Sequence, residues 1–543
     1  MDSMPKEGAA RPLYSSAPDY TQNYLTAKPK ERWTPPRGFV LTAVCSYLPA
    51  YLYTRYILFG ATKDRWTMLL FAVVYLIGVE LLSRSQKRPD SAESGFWMVC
   101  WLVQSAALMI FPDHAGSIYL LQWLAWHATA VYWTMCRTGM LCAGQSGLWT
   151  PVDLLMGVTV LPWRDFLLRA RTLAHGGSNV LRRVGGDRRR ALGGAFSAVM
   201  ALAVCVFAWS QLAGVDETFA RLGQGMFGWL DGLLSPDTVL IFVLSLPVGA
   251  WLFGLIGGGL RRREAPLTAQ ALDRGLASLP RLPVSTGYLV PGALCGVYGL
   301  FFAVQAYEFF TAAGQGLTAQ AASDFAVTGF WELCRILLLD FVVLVALRLF
   351  GARPLRQPGS QRRLMLVFGG FGFLFAALAA AKLGTYILLY GPTPQRVLSG
   401  WFLAVLLVWC VLAVLWLMRP VPAARIAVLV LAGSFSMLCC ADIEGFCVRE
   451  NIDRYQAGVI DTVDTDLLVQ CGVPYNDRIS AFAAQALDEA GWFDGRTGEE
   501  IARVYGDAYW ITDGTFSIDL DGGQLELTFS HGVCTGTEML SEE

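Results

Sequence analysis

Residues 398–418 read LSGWFLAVLLVWCVLAVLWLM, a run of 21 positions with no charge. At about 1.5 Å of rise per residue, such a run crosses the roughly 30 Å hydrocarbon core of a bilayer as a helix. Lipid offers no partner for a backbone N–H or C=O, so a helix is the form in which a single segment can sit there. The solvent for this part of the chain is lipid.

The same pattern recurs along the chain. Comparable stretches run over 38–60, 67–83, 96–111, 118–136, 192–213, 239–260, 287–311, 325–347, 364–390 and 426–441, which with 398–418 makes eleven expected spans. The expected fold class is an all-α polytopic membrane bundle. Composition agrees: the 543 residues are 55% hydrophobic and only 16% charged, with mean hydropathy +0.45, which excludes an ordinary soluble protein.

The net charge of −1 conceals an asymmetry. From Asp442 to Glu543 the chain holds 5 Arg and 21 Asp and Glu, a balance of −16, which leaves +15 for everything before it. Lys and Arg are retained on the cytoplasmic side of a membrane. With the N-terminus inside, 30 of them fall in cytoplasmic segments and 4 in exterior loops before the tail. An odd number of spans then places the acidic tail outside. The expected organisation is a disordered cytoplasmic tail (1–37), a four-helix membrane region (38–136), an Arg-rich cytoplasmic loop (137–191), a seven-helix membrane region (192–441) and an acidic exterior domain (442–543). The expected location is a bacterial cell membrane.

The stretch 148–162 is apolar but carries Asp153 and ends in Pro162. As a span it would export Arg182, Arg183 and Arg188 to Arg190, so it reads as an interfacial or re-entrant helix. The basic loop beside it suits anionic lipid headgroups. Gly292, Gly296 and Gly299, and Gly369, Gly370 and Gly372, are expected to let helices approach closely. In the tail, 444–460, 476–490 and 499–505 have helical periodicity. Phe516, Ile518 and Leu520, then Leu525, Leu527 and Phe529, alternate around Asp521-Gly522-Gly523 as a β-hairpin, giving a small α+β domain.

Charges inside spans are costly and are the first functional candidates. Glu332, Arg335 and Asp340 lie in 325–347, and Lys382 lies in the next span. Glu332 sits roughly 10 Å and Lys382 roughly 12 Å below the exterior face at about 1.5 Å per residue, so they can pair, with Arg335 adjoining. An ion-pair staple between two helices is the plainer reading, and a substrate or proton site the sharper one. Arg55, Glu80 and Glu308 sit near span ends, where snorkelling explains them. Asp461, Asp464 and Asp466 do not follow calcium-loop spacing, and the four His residues show no ligand spacing, so no metal or other cofactor is expected. Of the 13 cysteines, Cys439, Cys440, Cys447, Cys471 and Cys534 would meet an oxidising compartment, where some can pair. No nucleotide-binding loop, dinucleotide fingerprint or nucleophile elbow is present, and nothing points to nucleic acid.

Three stretches carry a resemblance: 323–333 (SDFAVTGFWEL), 382–396 (KLGTYILLYGPTPQR) and 450–461 (ENIDRYQAGVID). They resemble the bacterial multi-pass membrane proteins grouped as domain of unknown function 4173, with the related 4153 group. The matching positions are Gly329, Glu332, Lys382, Tyr386, Tyr390, Gly391, Thr393, Arg396, Asn451, Arg454 and Tyr455. The group has no assigned activity, so the resemblance implies a fold and a cluster of residues at the exterior mouth of two helices, where an outside domain would dock. Three readings follow. The first is a non-enzymatic envelope sensor or scaffold with a protein partner yet to be named. The second is a secondary transporter or channel using Glu332, Arg335, Asp340 and Lys382. The third is a membrane enzyme acting on lipid or wall precursors, for which no catalytic constellation is visible.

Overall fold

The computed structural model describes residues 34–183, 236–315 and 329–541, apart from short breaks at 37, 61–65, 90, 111–115, 263, 461–462, 474–476, 506–508, 513–514 and 521–522, with a few helical positions between 197 and 208. The first group of helices surrounds an aromatic core in which Trp101, Trp126 and Trp133 are fully buried. It comprises α1 over 39–58, α2 (Trp66–Ser85), α3 (Ala92–Ile110), α4 (Gly116–Thr138), α5 over 150–164, α6 (Leu168–Arg183) and α7 (Pro236–Arg261). Two of these are irregular: α1 ends in a π-helical turn, Tyr53–Leu58, and α5 contains another, Met156–Val160.

After a short helix α8 (Ala269–Ala277), a second group packs around Leu337, Phe375 and Leu406. It comprises α9 (Thr286–Gln315), α10 (Phe330–Phe350), α11 (Ser360–Tyr390) and α12 (Pro394–Met418). Helix α13 (Ala423–Leu438) ties the two groups together. Its Arg425 pairs with Glu93 at 2.8 Å, and its Ser436 accepts a bond of 2.9 Å from Gln104.

Six described helices are long and apolar enough to cross a membrane: Trp66–Ser85, Ala92–Ile110, Thr238–Arg261, Thr286–Glu308, Ser360–Tyr390 and Pro394–Met418. A seventh arises if α13 and the helix after it, which meet at a 66° bend, count as one span. The protein is thus a multi-pass membrane protein, but eleven crossings are not established. The stretch 38–60 is broken near Ser46 and widened at its π turn. The segment 118–136 is diluted by Gln122, His127 and three Trp, and 325–347 by Glu332, Arg335 and Asp340. Helix α13 has only 16 residues, and 192–213 falls largely outside the described residues.

The tail begins with α14 (Ile443–Gln456), followed by α15 (Thr465–Cys471), α16 (Asp477–Glu489) and α17 (Gly498–Tyr505). Four antiparallel strands complete it in the order β1-β2-β3-β4: Tyr509–Thr512, Thr515–Leu520, Gly523–Ser530 and Val533–Ser541. The expected hairpin is β2 and β3, with Leu520 opposite Gly523 and Ile518 opposite Leu525. The outer strands were not legible, because β1 is four residues long and β4 is interrupted by Gly536 beside a register shift at Thr528/Phe529. Val448 and Ile452 of α14 share one apolar core with Leu468, Phe493, Ile518 and Leu525, so the first helix of the tail belongs to its body.

Several local expectations change. Glu80 does not snorkel: Arg137 grips both its oxygens, at 2.7 and 3.0 Å. Stretch 148–162 folds onto α7, burying Asp153, which accepts the Cys142 amide at 2.6 Å. Of the basic loop, Arg169 is buried and donates to the Ala43 carbonyl at 3.1 Å, while Arg188 to Arg190 lie outside the described residues. A Cβ at Gly296, Gly299 or Gly370 would touch nothing, so these do not mark close packing; Gly254 and Gly258 on α7 do, against Pro162 and Asp165. Cys439, Cys440, Cys447, Cys471 and Cys534 are all free thiols.

Candidate functional site

Helix α11 ends at Tyr390, and its last carbonyls have no amide partner further along the helix. The chain reverses through Gly391, Pro392 and Thr393 into α12. Gly391 takes φ +72°, a left-handed conformation that glycine adopts without a Cβ penalty, and a Cβ there would collide with the Asn451 side chain. Thr393 caps α12, its hydroxyl accepting the Arg396 amide at 3.3 Å, and Pro394 follows at the first turn, where its missing N–H costs nothing.

Three side chains then satisfy the open carbonyls. Arg396 donates to the Tyr390 carbonyl at 2.9 Å and to that of Gly391. Asn451, buried on α14, donates to the Pro392 carbonyl at 2.7 Å and to its own helix at Cys447, also 2.7 Å. Arg454 donates to the Ile387 carbonyl at 2.9 Å while its Nε holds Glu450 at 2.7 Å. Two cations at the negative end of a helix are also favoured by its dipole. The arrangement is a helix C-cap distributed over three elements, with two of its parts supplied by the tail.

Aromatic rings complete the joint. The Arg396 guanidinium lies 4.1 Å from the centre of the Tyr386 ring and 6.0 Å from that of Tyr390, and the two rings meet edge to face at 5.1 Å. Tyr455 packs against Phe482 of α16 at 5.3 Å. Gly329 opens α10 at φ +86°, so that Phe330 and Trp331 reach the same region.

Beside the joint is a cleft of about 880 Å³. Trp331, Tyr386, Trp401 and Phe402 are among its apolar lining residues, and Arg396, Asp464 and Asp466 among its charged ones. The last two come from the tail. Asp464 caps α15, accepting the amides of Asp466 and Leu467 at 3.0 and 3.3 Å; Asp461 lies outside the described residues. The size is that of a small-molecule site, with walls from both the bundle and the tail.

Two of the intramembrane candidates pair with each other on one helix. Glu332 and Arg335 pair with each other at 3.5 Å and are 63% and 75% exposed, whereas Lys382 is buried. Asp340 is buried apart from them, accepting the Tyr298 hydroxyl at 2.8 Å. Among the described residues, no group of three His, Cys, Asp or Glu converges on a metal position.

Comparison with known proteins finds no matching curated protein and no matching solved structure. A family model matches residues 94–479, from α3 to the start of α16, more than two thirds of the chain and including the whole joint. Of the two groups that the three stretches resemble, the match establishes 4153 and leaves 4173 unsupported. The chain belongs to the family described as Domain of unknown function (DUF4153).

Proposed function

We propose that this is a non-enzymatic envelope protein, a sensor or scaffold, in which the cleft beside the joint takes an amphipathic ligand whose occupancy is passed to the tail. The observation that carries this reading is the shared wall. Asp464 and Asp466 face the same space as Tyr386 and Arg396, so a ligand between them must touch both bodies. Only a ligand that binds the two arrangements of a joint differently can shift it, and one that spans the joint does so. The basic side of the bundle is cytoplasmic in this reading and the acidic tail exterior, in a bacterial cell membrane. The basic loop meets anionic headgroups, and the tail meets a protein partner. Transport is the second reading, because its Glu332 and Arg335 are an exposed pair while Asp340 is buried against Tyr298.

Complementation of a deletion strain tests the reading. Chains ending after Gln456, or carrying Arg396→Ala, should fail to restore the phenotype at normal membrane levels, while Glu332→Gln and Asp340→Asn should restore it. Restoration by the truncated chain refutes a role for the tail. Failure of Asp340→Asn alone would move function to the bundle charges. Cysteines placed at Gly495 and Gly186 test orientation separately: the first should react with an impermeant reagent in intact cells and the second should not.

A further inference from the structure

A second cavity, of about 530 Å³, lies in the first helix group, far in sequence from the joint. Its walls include Phe71 and Tyr75 of α2 and Val248, Trp251 and Leu255 of α7, two helices that are long and apolar enough to cross a membrane. Among the described residues, no Asp, Glu, Lys or Arg lines it. Tyr75 is near the middle of the 20 residues of α2, so the cavity lies well inside the hydrocarbon zone.

Four polar groups of its wall have partners within the protein: Tyr75 meets Thr134 at 3.1 Å, Trp126 donates to Ser105 at 2.8 Å, and Tyr53 and His127 satisfy each other. His127 Nδ1 lies 2.7 Å from the Trp123 carbonyl, which can only accept, so Nδ1 carries the proton. Nε2 is then an acceptor, and the Tyr53 hydroxyl donates to it at 2.9 Å. The surface toward the cavity is predominantly apolar, and such a space disfavours water and takes apolar ligands. The rim shows what lies outside. Leu124, Val158 and Trp163 are 51%, 41% and 61% exposed, so the opening is bordered by apolar residues, as a mouth facing lipid tails requires.

The backbone departs from regularity where it borders this space. Tyr53 begins the π turn of α1, Val158 lies in the π turn of α5, and Pro247 interrupts α7, and all three line the cavity. Single π turns inside α-helices often accompany functional sites, and a proline removes one helical bond. Each π turn carries a threonine that donates back four residues, Thr54 to Ala50 at 2.8 Å and Thr159 to Leu155 at 2.7 Å.

We infer that this cavity is a binding site for the hydrocarbon chain of a membrane lipid, entered sideways from the bilayer and independent of the cleft at the joint. The test uses the full chain in nanodiscs with a trace of phosphatidylcholine bearing a diazirine near the end of one acyl chain. Photolysis and peptide mapping should enrich adducts on 124–131, 156–163 and 247–255 over the lipid-facing residues of α12. The expected excess is about tenfold, the ratio given by roughly 1.4 kcal/mol of preferential binding. Ala128→Phe, which fills the cavity from its partly exposed wall, should reduce these adducts to the level of α12; Val158→Phe is a second filling variant from another wall. Uniform labelling of the native protein overturns the inference, as does undiminished labelling in either folded variant. Equal labelling by a phosphatidylglycerol with the same chain is expected, and a strong headgroup preference would refute recognition of the chain.

Discussion

Replacing Asn451 by Ala should loosen the tail from the bundle by a calculable amount. Its side chain is 3% exposed and makes two bonds of 2.7 Å. The one to Cys447 is inexpensive to lose, because that carbonyl keeps its helical amide partner. The one to Pro392 is different: this buried carbonyl lies beyond the end of α11 and is left without a donor. An unsatisfied buried polar group costs about 1–3 kcal/mol, so about 2 kcal/mol is expected. At 1.4 kcal/mol per tenfold, that is a roughly 30-fold increase in the population in which α14 has separated from the turn between α11 and α12. Hydrogen exchange of the α14 amides in nanodiscs reads this population directly. Asn451→Asp should be worse than Ala, since a carboxylate has nothing to donate and would face two carbonyls. An acceleration below about threefold, or an Asp variant like the native protein, would show that the joint does not hold the tail.

Other substitutions probe the same framework. Gly391→Ala should lower the thermal midpoint of the detergent-solubilised protein and speed exchange in both α11 and α14, because φ +72° is unfavourable for alanine and its methyl meets Asn451. Tyr298→Phe should destabilise by about 1.5–3 kcal/mol, having removed the only described donor to a buried carboxylate, and Tyr298→Phe with Asp340→Leu should recover much of the loss in the same thermal assay. In α17, Thr497 donates its amide and hydroxyl to Glu500 at 2.9 and 3.0 Å, which holds that carboxyl below its ordinary 4.5. A lowered folded value gives stability that is present above pH 4.5 and lost as pH falls through the folded value. The unfolding midpoint of the tail should therefore drop in that acid range for the native chain, and Glu500→Gln should remove that component of the drop.

The long uncharged runs were legible because lipid leaves the backbone one solution, and α11, α12 and the helices 66–85 and 92–110 lie where hydropathy puts them. Less legible was whatever depends on which face of a helix meets protein. Glu80 looked like a snorkelling end charge until Arg137, 57 residues away, was placed beside it. Glycines could not be ranked from spacing, since contact depends on a neighbour that the spacing does not specify. The π turns of α1 and α5 left no separate trace in hydropathy, and threonines like those at 54 and 159 make the same backward bond in regular helices.

The joint was half legible, for a physical reason. Its residues were marked as a set and as a place where an outside domain would dock, but the donors among them act on backbone carbonyls, which residue type alone does not specify. Arg396, Asn451 and Arg454 each donate to a carbonyl at or just beyond the end of one helix, and Gly391 and Thr393 are selected by a left-handed turn and an N-cap. Such a pattern specifies where one body ends and another attaches. Such a cap ties the first helix of the tail to one turn of the bundle through three donors, and the surface that can meet a ligand lies beside it. The cleft is placed there, with Arg396 common to both and the Asp464 and Asp466 wall carried on the seven-residue helix α15. Mutations in the cap should therefore change docking whether or not the cleft is occupied. Changes at Trp331 or Trp401 should leave docking intact in the empty protein and alter only its response to a ligand. Loss of docking in Trp331→Ala without any ligand, measured by the same exchange of α14, would show that cleft and cap are one structural unit and would remove the division of labour argued here.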